Sequence, residues 1–593
     1  MCETRPSPPS WETPFGPGNL SERYQEELAF LRKAFIDLEK RDRALAEQLE
    51  LQQGRSRDPH VETMLHGFAM LSGRVRCRLD DSLAELTRGV GEVVAPSLVR
   101  PMPAAAIMQF QSRRQLQAKI ERRARVRITW RSGQATEWST CQEVDTADIQ
   151  VQEVWLRSAS DFKLDSKAVP HAARALTIDL HTASGTAFQQ RQPSRLRFFL
   201  GGDAGKRWRL YQALVESCRM AFVADRGGNI QWTGQAEVLP VGFDPSDAML
   251  PDDSVSPPGR RVLREYLTMP ERFLFVDVRL PRLAWSGLGA DVSIGLLLAA
   301  SESTDRLGAN GLQPGSMLLG CSPIVNLYSE DCAPILIDGT KTAYELSPQI
   351  LVAKRSSSVW SVDEVRLARP NDEVINVHPL FSVAHSQSLG GRAWWLVRQR
   401  IMEQSDVDVI SILDSAMDSA MNPDSLGACI IRARVKWTDD LPEWTVHERE
   451  ERVECTGLQN VDGNVIEVKP SARVARAEQL WRLVSHTSLS YLPLLGRDDA
   501  KKAFREWIML HSSHDSRRAE AIKGVEISRS AIRVGNGPMA FHRGLRLLVD
   551  IAEDQGGLRP GESFLFARVL NEAVSDSCSA NAFARLELRK GAV

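Results

Sequence analysis

Apolar residues recur along this 593-residue chain with two different periods, and the place where one gives way to the other limits the fold more than any single motif. From Asn19 onward, Tyr24, Leu28, Leu31, Phe35 and Leu38 step by four and three, Leu45 and Leu49 keep the phase, and charged residues fill the positions between. That spacing predicts an amphipathic helix long enough to pack on other helices or on a partner chain. A second helix is expected to start at Asp58, whose carboxylate can cap free amides, with Pro59 at the first helical position, where a missing N–H costs nothing. Val61, Leu65, Phe68, Leu71 or Ser72, and Val75 make its expected buried stripe, with Arg74, Arg76 and Arg78 toward solvent. After Pro101 and Pro103 the period shortens toward two, as in Val126 to Trp130, Val151 to Leu156, Ala175 to Leu180 and Leu196 to Leu200, which predicts strands.

A chain of this length exceeds what one core usually serves, so several domains are expected, roughly one per 150 residues. Residues 1–19 read as a flexible tail, because Pro6, Pro8, Pro9, Pro14 and Pro17 remove donors that a helix or ladder needs. Residues 20–100 read as a helical bundle segment and 101–250 as a β-rich domain. The polar, Pro-rich stretch from Asp244 to Gly259 is the best internal boundary, a linker or long loop. A mixed, mainly β domain is expected over 260–400. An α+β domain is expected over 401–593, ending in strand Leu545 to Ile551, helix Glu562 to Ala573 and strand Ala582 to Leu588. The fold class is thus α+β and multidomain, with a helical amino-terminal segment followed by β-rich and mixed α/β modules.

Composition excludes several functions. With 74 Lys and Arg against 76 Asp and Glu, the formal charge is -2, leaving no global field to attract nucleic acid or anionic lipid. The nine cysteines are scattered, odd in number and without a C-x-x-C pair, which reads as reduced thiols in a cytoplasm. The first residues lack an apolar core of signal-peptide length, and the apolar run Ser293 to Ala300 is far shorter than the roughly 20 residues a bilayer needs.

No motif assembles a catalytic site. LGGDAGKR, Leu200 to Arg207, ends like a phosphate-binding loop but misses its spacing, since Leu200 stands where the first glycine belongs and Arg207 where Ser or Thr would hold a metal. It reads as a turn or exposed loop. His511, His514 and Asp515 have a metal-like spacing with no further ligand nearby, and read as a polar helix end. HERE, from His447, lacks a second histidine. Asp80, Asp81 and Glu85 read as solvated charge. The basic run Arg113 to Arg131 has eight Arg or Lys, and reads as a solvated face or a site for an acidic protein partner. No metal, cofactor or catalytic residue is expected.

Seven blocks in order resemble the TssF family of type VI secretion baseplate proteins. They are YQEELAFLRKAF (from Tyr24), SRDPHVETMLHGFAMLSGRVRCRLDD (from Ser56), REYLTMPERFLFVDV (from Arg264), LGCSPIVNLYSEDCAPILIDGTKTAYEL (from Leu319), SVWSVDEV (from Ser358), LWRLVSHTSLSYLPL (from Leu480) and FHRGLRLLVDIAED through ANAFARLEL (Phe541 to Leu588). In VKWTDDLP, Val435 to Pro442, only DLP remains of a segment that the family usually carries as Asn-Arg-Asp-Leu-Pro. The resemblance marks Asp58, Pro59, His60, Leu65, Phe68, Arg74, Asp80, Phe273, Pro323, Asn326, Trp481, His486, Tyr491, Arg543 and Gly544 as motif positions, beside the interface stripe Tyr24, Leu28, Leu31, Phe35 and Leu38. It implies a wedge architecture related to phage baseplates. It also implies a structural subunit that pairs with a second copy of itself around one TssG, joins TssE and TssK around the VgrG spike hub, and primes the sheath. The implied place is the cytoplasm, docked on the inner membrane through a membrane complex, without direct insertion. An equivalent wedge of a phage-like contractile tail, or a hydrolase with an unrecognised site, are the alternatives.

Overall fold

The structure is a computed structural model describing residues 20–48, 51–53, 55–94, 96–112, 119–146, 148–162, 172–251, 256–305, 307, 312–337, 341–349, 357–369, 374–381, 393–401, 406–414, 429–439, 441, 450–455, 461–471, 497–511, 517–533, 541–553, 557–576 and 582–589. The Pro-rich leader therefore lies outside the described residues, as do Leu49, Trp481, His486, Tyr491, His514 and Asp515. The chain divides into two units, one holding the helices up to Val99 and the other beginning at Arg100.

In the first unit a leading helix, Leu20–Arg41, is followed by a short helix, Arg43–Gln48, a two-residue ladder between Leu51–Gln52 and Arg55–Ser56, and a long helix, Pro59–Val94. The long helix starts where local chemistry dictates: the Asp58 carboxylate accepts the His60 amide at 2.8 Å, its carbonyl accepts the Glu62 amide at 3.1 Å, and Pro59 occupies the first turn. Its 36 residues extend for about 54 Å at 1.5 Å per residue.

The second unit is built mainly of sheets. A five-stranded antiparallel sheet runs in the order Ile230–Gln235, Cys218–Asp225, Asp291–Ala299, Ala172–Thr182, Ile149–Ser158. A six-stranded sheet runs Glu450–Cys455, Arg125–Trp130, Ala135–Thr140, Cys321–Val325, Ala105–Ser112, Val461–Lys469. A third gathers strands between Tyr328 and Asp439. At the carboxyl end Phe541–Ile551 and Ala582–Leu588 lie parallel, which requires a crossover, and the helix Glu562–Ser575 supplies it.

The stretches expected as separate domains share these sheets. The six-stranded sheet draws on residues before 250, on Cys321–Val325 and on strands beyond 449. One continuous core cluster reaches from Met102 to Leu586. Alternation identifies a strand but carries no record of its partner, so the boundaries drawn from it do not mark separate cores.

The stretch after Asp244 is likewise tied into this unit. Glu265, fully buried, accepts the amides of Met249 and Leu250 at 3.1 and 3.0 Å and pairs at 2.6 Å with the fully buried Arg272, which also donates to the Gly242 carbonyl at 2.8 Å. The bonds to backbone amides and a carbonyl offset part of the cost of burying both charges.

The basic run is corrected in part: Lys119, Arg122, Arg127 and Arg131 are exposed, but several of its arginines also fasten the fold. Arg122 donates to the carbonyls of Cys141, Pro245 and Ala248, and Arg123 to those of Met249 and Ala248. Arg125 bridges Glu137 at 2.9 Å and Glu330 at 3.1 Å, while Arg127 meets Glu137 at 2.6 Å.

Candidate assembly interface

The two helices of the first unit cross closely at Gly73, where a Cβ would stand 3.1 Å from the backbone nitrogen of Tyr24. Polar contacts fix their register: the Tyr24 hydroxyl meets His66 Nδ1, Glu27 accepts Ser72 at 2.9 Å and Arg76 at 2.7 Å, and Arg32 donates to Glu62 at 3.0 Å. The Arg76 bond is the main force holding the Glu27 carboxyl below its ordinary range. Tyr24, Leu28, Leu31, Phe35 and Leu38 are half-buried, and no residue of the leading helix is fully buried.

The long helix does not bury the stripe its sequence suggested. Leu65 and Ala69 are inside, at 6% and 0% exposure, but Phe68 is 61% exposed, Leu71 60% and Val75 51%. Phe68 lies about 60° round the helix from Leu65, so an apolar band this broad has two faces, and the leading helix covers only one. The open face continues through Met64, Leu79, Leu86, Val90 and Val94. These five were missed in the reading of the sequence, although their spacing was legible there: Met64, Val75 and Leu86 stand eleven apart, as do Phe68, Leu79 and Val90. His60 and Arg74 are exposed beside this face, and Asp80 falls within the same helix.

The remaining motif positions are structural. Phe273 is fully buried, with ring centroids 5.2 Å from Phe243 and 5.9 Å from Tyr266 and the Arg272 guanidinium 4.4 Å from its own. Pro323 sits in the six-stranded sheet opposite Ile107 and accepts the Cys141 amide at 2.9 Å. Asn326, fully buried, donates to the Glu137 carbonyl at 2.8 Å and Asp439 at 3.1 Å, and accepts from Thr438 at 3.1 Å and the Asp439 amide at 2.6 Å. Arg543 is exposed on the strand Phe541–Ile551. Its neighbour Gly544 lies so close to the adjoining strand that a Cβ would collide with the Phe583 carbonyl oxygen.

Among the described residues neither catalytic candidate shows a completed site. At Leu200 to Arg207 a strand leads through the loop into the helix Lys206–Ser217, but Asp203 Oδ1 already accepts the amides of Gly205 at 2.6 Å and Lys206 at 3.2 Å. Those bonds hold Asp203 below the usual carboxylate range and fill the place an anion would take. His511 does end the helix Arg497–Leu510, yet it is buried rather than solvated. Its Nδ1 donates to the Trp507 carbonyl at 2.8 Å, and burial pushes the imidazole down to about 4. Burial raises the Cys141 and Cys455 thiols to about 11 and Cys218 to about 12, so they stay protonated. Among the described residues no three His, Cys, Asp or Glu gather as metal ligands, and no helix is long and apolar enough to cross a membrane.

Comparison with known proteins agrees with this arrangement. The component TssF1 of the Pseudomonas aeruginosa type VI secretion system is 25% identical over 96% of both chains. A chain of the solved TssK-TssF-TssG baseplate subcomplex matches 89% of this chain and 96% of its own, with a TM-score of 0.70 and 20% identity. One from a solved type VI baseplate complex matches 96% of this chain and 97% of its own, with a TM-score of 0.54 and 18% identity, so both share the fold. The family model for TssF of the type VI secretion system spans residues 17–592, helices and sheets alike, and the chain belongs to that family.

Proposed function

We propose that this chain is a structural wedge subunit of a type VI secretion baseplate and acts by binding its neighbours, not by catalysis. The open apolar face of the long helix carries the reading. Nine large side chains from Met64 to Val94 stand at 37% exposure or more on this helix, and all but Met70 belong to the open face. Together they amount to roughly 700–800 Å², above the largest patch of an ordinary monomer and near one partner's share of a standard interface. The partners are TssG and TssK, which the solved subcomplex joins with TssF. In this reading two copies of the chain pair around one TssG. TssE, the VgrG hub and the sheath join the same assembly. The assembly sits in the cytoplasm and docks on the inner membrane through other proteins.

Co-expression with the TssG and TssK of the same genome, followed by light scattering of the purified material, tests this. The expected result is a stoichiometric complex of defined mass and a chain that is poorly dispersed without TssG. A monodisperse, stable monomer unchanged by TssG would overturn it.

A further inference from the structure

A groove of about 550 Å³ lies between the leading helix and the two-residue ladder that follows it. Leu28 and Ile36, both half-buried, supply apolar wall, and Arg32, Lys33 and Arg55 set three cations around it. Arg32 pairs with Glu62 at 3.0 Å, but among the described residues Lys33 and Arg55 meet no carboxylate. A groove of this kind suits a segment that brings a large apolar side chain for its walls and a carboxylate for its rim.

We propose that the occupant is the Pro-rich leader of the same chain, with Ser10 to Phe15 (SWETPF) laid in the groove as a polyproline II strand. This goes beyond the baseplate reading and does not depend on it, since the family match starts only at residue 17. From Pro6 to Asn19 the leader carries a single charge, Glu12, directly beside Trp11. Trp11 supplies the apolar body and Glu12 answers Lys33 and Arg55. Gly16, Pro17, Gly18 and Asn19 are turn residues, so the chain can reverse just ahead of Leu20 and run back along the helix. At about 3.1 Å per residue, Trp11 then stands about 12 Å beyond Phe15, level with Leu28, which the helix reaches about 12 Å from Leu20. Pro6, Pro8, Pro9 and Pro14 preset the extended conformation, so little freedom is lost on docking. The tether decides between this segment and one from another subunit: a short link gives an effective concentration in the millimolar range, against which a free segment of the same chemistry competes poorly.

The test uses the full chain in cells that also produce TssG and TssK, with a photo-crosslinking residue in place of Ala29, which is exposed at the groove. The crosslink is expected to join position 29 to residues 8–15, in a product that keeps the mass of one chain under denaturing conditions. Trp11→Ala is expected to reduce it about fivefold or more, because an aromatic anchor dominates such a contact. Glu12→Lys is expected to do the same, and Lys33→Glu with Arg55→Glu in that chain to restore it. Neither Trp11 nor Glu12 belongs to the helices or sheets, so these variants leave the fold intact. A crosslink to TssG, to TssK or to a second copy in place of the leader overturns the occupant. A crosslink that misses the leader, or one that survives both Trp11→Ala and Glu12→Lys unchanged, overturns the docking.

Discussion

Asp439 gathers donors from across the chain: Asn326 Nδ2 at 3.1 Å and the Glu137 amide at 3.2 Å on one oxygen, the Tyr328 hydroxyl at 3.0 Å and Ser357 at 2.9 Å on the other. Asn326→Asp would replace a donor by a second buried carboxylate. The expected cost is about 2–4 kcal/mol, read as a lower urea midpoint at an unchanged slope. The Asp58 cap is lighter, and Asp58→Ala is expected to cost about 1 kcal/mol in the same measurement. His511 links stability to acidity. Its folded-state value of about 4 lies below the ordinary 6.5, so the folded chain holds the proton less tightly than the unfolded chain. Its contribution is complete above about pH 6.5 and falls as pH drops toward 4, reaching about 2 kcal/mol lost by pH 5. His511→Phe is expected to flatten that part of a melting-temperature profile, and an unchanged slope would show that the imidazole is not buried. At this scale the Asp58 cap was legible because its partners are adjacent in sequence. The Asp439 latch was not: its residues belong to distant strands, and VKWTDDLP stood out only as a departure from the family pattern.

At the scale of elements, the two sides of the long helix answer differently to the same truncation. Leu65→Ala removes a buried side chain and is expected to destabilise the free chain by about 2–4 kcal/mol. Phe68→Ala is expected to leave it within about 0.5 kcal/mol, while weakening the complex with TssG. Denaturation of the free chain beside binding titration separates the two, and equal losses of stability would place Phe68 inside after all. Periodicity announced the helix and the width of its apolar band, but not that a single 22-residue helix would cover only part of it. The strands show the same limit. Val126 to Trp130 alternates clearly enough to be a strand, yet its neighbours Ala135–Thr140 and Glu450–Cys455 lie 5 and more than 300 residues away. Arg122 to Arg127 looked solvated because charge runs usually are, and only the fold brings carbonyls and Glu137 to meet them.

For the whole molecule, a scaffold and a catalyst answer differently to single substitutions. A catalyst concentrates its effect at one reacting centre, so removing one acid, base or ligand costs orders of magnitude in rate. A scaffold spreads its effect over packed surfaces, where a few large apolar or aromatic anchors dominate. The most direct measurement is secretion by bacteria carrying single substitutions, scored beside purification of the baseplate complex from the same cells. Charge placed in the open face, as Phe68→Glu or Leu79→Glu, is expected to abolish the complex and secretion together. Lys206→Ala, His514→Ala and Asp515→Ala are expected to preserve both. A substitution at those polar positions that leaves a complete baseplate but stops secretion would contradict the account.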